Sequence, residues 1–175
     1  MSKTLVMKFG GTSVGSADAL KNAVQIIRDA KKDWERVVVV TSAMSGVTNL
    51  LLDSAASASQ GKVDPLSAAE STLKERHFTA TDSLIQDADL REKTKAEIEL
   101  LIQSFVDLCK AIAVLGEASP RAMDAVASLG ERMSVRLLTA IVNDAGVKAR
   151  AVEATEFIVT NENYQNAHPD LITTT

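Results

Sequence analysis

The chain alternates short β-branched runs with long stretches in which apolar residues recur at helical spacing. Thr4 to Phe9 (TLVMKF) predicts a first strand, buried on both faces. Leu20, Ala23, Val24 and Ile27 then fall at i, i+3, i+4 and i+7, the stripe of an amphipathic helix. Ser16 is placed to cap that helix, with Asp18 in its first turn and Lys31 and Lys32 where the dipole favours cations. Trp34 is expected to cover the helix end. Val37 to Val40, four consecutive valines, predict a second buried strand parallel to the first. Strand, helix and strand make a right-handed crossover, and ligands of such sheets bind beyond the carboxyl ends of the strands.

Beyond the second strand the period is helical. Leu50 to Ser59 continues as a helix, and Gly61 to Pro65 breaks it, with Asp64 and Pro65 suited to cap and open the next. Leu66 to Leu84 and Asp89 to Leu115 predict two long helices. In the second, Ile98, Leu101, Ile102, Phe105, Leu108, Ile112 and Leu115 trace one face. The pair is expected to form a helical insertion, about residues 64–118, projecting from the α/β core. Gly116 stops the second helix, Ser119-Pro120 starts another, and Gly130 and Glu131 open a strongly amphipathic segment. Asn143 to Gly146 ends it. Lys148 to Val152 predicts a third parallel strand and Phe157 to Thr160 a short extended piece. The fold class is α/β with a mainly parallel sheet.

Composition narrows the functional classes. The chain has 175 residues, enough for one domain with a real core. A net charge of −4 and 3% aromatic residues argue against a nucleic-acid surface. The single cysteine, Cys109, precludes an internal disulfide and reads as a small core residue. Lys8 interrupts the apolar N-terminal run, so no signal-peptide profile is present, and no apolar stretch reaches membrane-spanning length. The cytoplasm is the expected compartment. His77 is expected to be an exposed or half-buried helix residue and His168 a loop residue; neither has metal-ligand spacing, and no metal ligand is expected.

Three places carry candidate chemistry. The first is Leu5 to Gly15, LVMKFGGTSVG, where a strand leaves through paired glycines into the mouth of a helix. Backbone N–H groups, the positive end of the dipole and the Lys8 ammonium together make an anion site suited to phosphate. The loop is not a Walker sequence, and Thr12 stands where the dinucleotide fingerprint needs glycine. A tight turn with a solvated lysine is the alternative. The second place is Thr41 to Asn49, either a pocket wall of hydroxyls and loop amides or a polar loop in which Thr48 or Asn49 caps the next helix. The third is Glu131, either a first-turn acid favouring the dipole or a carboxylate that pairs with a substrate ammonium.

Taken as strings, KFGGTSV (Lys8 to Val14), SAMSGVTN (Ser42 to Asn49) and GERMS (Gly130 to Ser134) resemble, in the same order, motifs of the aspartate kinases in the amino-acid kinase family. The resemblance runs over essentially the whole chain. It implies an αβα sandwich around a mainly parallel sheet. It implies transfer of the γ-phosphoryl group of ATP, with Mg2+, to the β-carboxylate of L-aspartate, the first step toward lysine, threonine and methionine. By the same resemblance Lys8 neutralises the transferring phosphoryl group, and Gly10 and Gly11 offer amides to phosphate oxygens. Thr48 and Ser42 hold L-aspartate, and Glu131 binds its amino group. Partners are then L-aspartate and ATP, with a homo-oligomer expected and no nucleic acid or membrane.

Complete aspartate kinases continue well beyond residue 175, with a Gly-Arg-Gly-Gly-Ser-Asp-type loop, an adenine pocket and ACT regulatory domains, none of which this chain contains. The expectation is therefore the N-terminal part of a catalytic domain, inactive by itself. Competing readings are another amino-acid kinase, such as a glutamate 5-kinase, carbamate kinase or UMP kinase, or a non-catalytic aspartate-binding or assembly module. A dinucleotide-binding domain is weakened by Thr12.

Overall fold

A computed structural model describes residues 3–174. Strand β1 (Thr4–Phe9) leads through a single 3-10 turn (Gly11–Val14) into helix α1 (Ala17–Asp33), and β2 (Arg36–Thr41) follows. Helices α2 (Val47–Ser59), α3 (Asp64–Leu84), α4 (Ala88–Leu115) and α5 (Pro120–Asp144) come next, and a short 3-10 turn (Ala154–Glu156) precedes an irregular end. The two strands pair in parallel, with Val6 beside Val38 and Lys8 beside Val40. Ser16 caps α1 by accepting the Ala19 N–H at 3.2 Å, as its position predicts. The stripe Leu20, Ala23, Val24 and Ile27 is buried, and Trp34 is the C-cap residue.

The strands are not buried on both faces as expected. Their side chains alternate, and only the inner row faces the helices. On the outer row Val6 is 64% exposed, Val38 47% and Val40 49%. Among the described residues the sheet has two strands, and no helix layer covers the outer face. The valine run is thus the composition of a fully buried strand set in a half-covered sheet.

The third strand expected at Lys148 to Val152 does not pair. Its backbone is claimed by α5 instead: the Asn143 side chain accepts the Ala149 N–H at 2.9 Å and donates to the Ala149 carbonyl at 3.1 Å. Glu153 then reaches back to Arg132 at 2.9 Å and Arg136 at 2.6 Å. Burial pulls the Glu153 carboxyl upward, but the two guanidiniums outweigh it and hold its pKa below the usual range. Between this segment and β2 runs a groove of about 420 Å³ lined by Val37, Val39, Leu138, Val142 and Ala149.

The expected helical insertion does not project. Helices α3 and α4 pack on each other and on α2 and α5, and their apolar faces belong to the same core as α1. Phe105 of α4 is fully buried there, which contributes about 1.5–3 kcal/mol relative to leaving the side chain exposed. Lys74 on α3 bridges Glu70 and Glu99, each at 2.8 Å, and Asp144 at the end of α5 accepts the Gln86 and Asp87 N–H groups at 3.0 Å each. Leu108 is only half-buried and Leu115 is 72% exposed, so the α4 stripe ends a turn earlier than its spacing predicts. Val63 rather than Asp64 is the N-cap of α3. No helix among the described residues is long and apolar enough to cross a membrane.

His77 is fully buried on α3, not exposed or half-buried. Its Nδ1 lies 2.8 Å from the Leu73 carbonyl, while Nε2 has no hydrogen-bond partner among the described residues. Burial holds its pKa below the ordinary value. The neutral form therefore costs nothing above about pH 6.5. As the pH falls below that value the unfolded chain takes up a proton that the folded chain refuses, and stability drops. Thermal unfolding followed between pH 7.5 and 5 should show a midpoint that falls on acidification, by a smaller amount in His77→Gln. Equal falls in the two proteins would contradict this assignment.

Candidate functional site

The site forms where the carboxyl ends of β1 and β2 meet α5. Lys8 is exposed near the end of β1, and its amine lies over the following turn, 3.3 Å from where a Cβ on Gly10 would project. Among the described residues Lys8 has no ion-pair partner. The chain does not pass directly from the glycines into a long helix. Residues 11–14 form one 3-10 turn, and α1 begins at Ala17 behind its own Ser16 cap. The turn's first bond runs from the Ser13 N–H to the Gly10 carbonyl at 2.9 Å, so the Gly11 and Thr12 amides have no acceptor within it. A cation and two such amides are the chemistry of a phosphate cradle.

Gly11 is required by a neighbour rather than by its own dihedrals. A Cβ there would lie 3.0 Å from the Ala43 carbonyl oxygen, and one on Gly15 would lie 3.0 Å from the Ser45 Cβ. The loop after β2 therefore rests directly on the glycine turn. The Ser42 N–H donates to the Phe9 carbonyl at 3.1 Å, which extends the strand pairing by one step. Ala43 and Met44 are buried, and Gly46 at φ +79° makes the left-handed turn that starts α2 at Val47. Neither Thr48 nor Asn49 caps this helix; Gly46 is its N-cap. Thr48 stands half-buried in the first turn, next to the loop.

From the other side α5 closes on the same loop. Gly130 and Glu131 lie in the middle of α5 and do not open it, which removes the reading of Glu131 as a first-turn acid. A Cβ on Gly130 would lie 2.8 Å from the Ala43 Cβ and 3.4 Å from Leu51 and Val47. Glu131 Oε1 accepts the Ala43 N–H at 3.2 Å, and Ser134 Oγ lies 3.5 Å from Thr41 Oγ1. Ala43 is thus pinned at three points: its carbonyl against Gly11, its Cβ against Gly130 and its N–H on Glu131. The half-buried Glu131 side chain keeps its second oxygen, which makes no hydrogen bond among the described residues.

Lys8, Gly10, Gly11, Ser42 and Glu131 are therefore gathered around one loop, with Thr48 at its exit. Sequence reasoning missed Ala43 and Arg76, whose guanidinium donates to the Ser45 carbonyl at 2.7 Å. A glycine inside an amphipathic helix was the one available signal for close contact at residue 130; Arg76 carried no signal. Among the described residues no group of three or more His, Cys, Asp or Glu is placed to hold a metal ion.

The chain belongs to the amino acid kinase family, whose model matches residues 3–174. Among its similarities within that family are aspartokinases. It is 35% identical over 167 residues to aspartokinase 2, chloroplastic, of Arabidopsis thaliana, a match covering 94% of this chain and 29% of that protein. It is 32% identical over 172 residues to lysine-sensitive aspartokinase 3 of Escherichia coli, covering 98% of this chain and 35% of that one. The crystal structure of E. coli aspartokinase III in complex with aspartate and ADP superposes with a TM-score of 0.82 at 29% identity, over 98% of this chain and 36% of that chain. The chain thus spans about a third of the length of the relatives it matches.

The three-point contact at Ala43 yields a test of unusual sign. Alanine in place of an interior helix glycine normally stabilises by about 0.5–1 kcal/mol. Gly130→Ala should instead destabilise by about 1–3 kcal/mol, because the new methyl meets Ala43 in a packed core. Ala43→Gly removes the opposing methyl and should relieve part of that loss, read as a coupling in a thermal or denaturant double-mutant cycle. A stabilising Gly130→Ala would show that α5 and the loop are farther apart.

Proposed function

We propose that this chain forms the acceptor side of an aspartate kinase catalytic domain. The observation that carries the reading is the Ala43 segment, which packs so closely on Gly11 that a Cβ there would lie 3.0 Å from the Ala43 carbonyl oxygen and which donates its N–H to Glu131 at 3.2 Å, so that the Lys8-Gly10-Gly11 turn and Glu131 meet on it. An anion cradle and a carboxylate suited to an ammonium group are then parts of one rigid wall. The aspartokinase relatives, and a similar structure whose protein holds aspartate and ADP, support the same chemistry.

In this mechanism the free oxygen of Glu131 pairs with the α-ammonium of L-aspartate, and the hydroxyls of Ser42 and Thr48 orient the substrate. The β-carboxylate oxygen attacks the γ-phosphorus of ATP. The bond from that phosphorus to the β–γ bridging oxygen breaks, and ADP leaves with the electron pair. Lys8 and the amides at Gly10 and Gly11 offset the charge on the transferring group. Such a reaction depends on positioning and electrostatics and needs no side-chain nucleophile. Losing one aimed donor costs on the order of 10²–10³ in rate, which sets the expected effect of Lys8→Ala in the assembled domain.

The nucleotide side is assigned to sequence beyond this third of the relatives' length. Half of a clamp cannot hold both substrates in a reactive geometry. The 175-residue chain should therefore bind L-aspartate without turning over ATP. The compartment consistent with the lone, buried Cys109, whose thiol burial pushes up to about 11, is the reducing cytoplasm. In this chain by itself the outer face carrying Val6, Val38 and Val40 is bare, and self-association through it is the expected behaviour.

Calorimetric titration with L-aspartate, and separately with ATP and Mg2+, together with an ADP assay in the presence of both substrates, tests the proposal. Heat from L-aspartate that disappears in Glu131→Ala, with no ADP formed, is the expected result. ADP formation by this chain, or binding untouched by Glu131→Ala, would overturn it. Light scattering should show a mass that rises with concentration and falls back in Val38→Lys; a monomer at every concentration would count against the exposed face as an interface.

A further inference from the structure

The loop that carries the acceptor wall is held from a third direction. Glu131 fixes the Ala43 N–H and Gly11 receives the Ala43 carbonyl, but both act at one end of the loop. The other end, Ser45-Gly46, is exposed and turns through the left-handed conformation at Gly46. Arg76 meets it there. One terminal nitrogen of its guanidinium donates to the Ser45 carbonyl at 2.7 Å, across 31 residues of sequence. The other lies 3.7 Å from where a Cβ on Gly46 would project. The cation thus lies over the turn that starts α2 and places Thr48 in its first turn.

Two features make this contact more than a surface hydrogen bond. A donor with full charge makes a bond roughly twice as strong as a neutral one. The arm also rises from a fixed base: its neighbours on α3, Leu73 and His77, are fully buried. We infer that Arg76 is a positioning residue that clamps the Ser45-Gly46 turn and so sets the acceptor wall and Thr48 for the substrate. It does not touch the reacting atoms. The inference rests on the acceptor-site reading for its substrate and on the geometry alone for the clamp.

Arg76→Ala, Arg76→Lys and Lys74→Ala in the 175-residue chain test it. Lys74 shares the helix but bridges Glu70 and Glu99, away from the loop. Hydrogen exchange at residues 43–48 should accelerate about tenfold in Arg76→Ala, and the dissociation constant for L-aspartate should rise by about the same factor. Lysine should recover most of both, since a single N–H to a single carbonyl does not need the guanidinium fork. Lys74→Ala should change neither, and the unfolding midpoint should move little in Arg76→Ala. Unchanged exchange in Arg76→Ala, equal acceleration in Lys74→Ala, or a loosened loop with unaltered L-aspartate affinity would each overturn the positioning role. If the unsubstituted chain takes up no L-aspartate, the acceptor-site reading fails, and the exchange comparison still decides whether Arg76 clamps the loop.

Discussion

The contact on which the site depends is the close approach of the Ala43 peptide to two glycines. Gly11 leaves 3.0 Å between a would-be side chain and the Ala43 carbonyl, and Gly130 leaves 2.8 Å to its methyl. No larger residue fits at either place without shifting backbone or helix. The space lets a strand-end turn, a loop and the middle of a long helix meet at one alanine. Glu131 then needs to reach only 3.2 Å to fix the loop amide. Remove the approach and the lysine turn and the carboxylate become features of separate elements.

That constraint explains why some of the site was legible in sequence and some was not. The helix stripe from Leu20 to Ile27, the Ser16 cap and the Ser119-Pro120 start follow from local rules and are found where expected. The gathering of Lys8, the glycine pair, Ser42 and Glu131 was legible through family resemblance, because each belongs to a motif. What failed depended on distant neighbours. His77 was expected to be exposed or half-buried because nothing local shows that four helices pack against α3. Lys148 to Val152 has strand composition, yet Asn143 and the arginines of α5 take its backbone and its end. Arg76 is one charged residue among many on a helix, and only the fold brings it to Ser45.

The sheet shows the same lesson from the other side. Its valines have the composition of a strand covered on both faces, but Val6, Val38 and Val40 look outward from a two-stranded sheet. The helical side, by contrast, is a continuous core from α1 to α5. The Ala43 loop thus rests on the buried helical side of the molecule. In the proposed function the rest of the catalytic domain supplies the nucleotide.

Amide resonances followed during titration with L-aspartate would test the central claim most directly. The account predicts that the largest shifts fall on Gly10 to Thr12 and on Ala43 to Thr48, the two stretches joined at Ala43. Shifts confined to the groove beside β2, around residues 147–152, or no shifts at saturating L-aspartate, would contradict it.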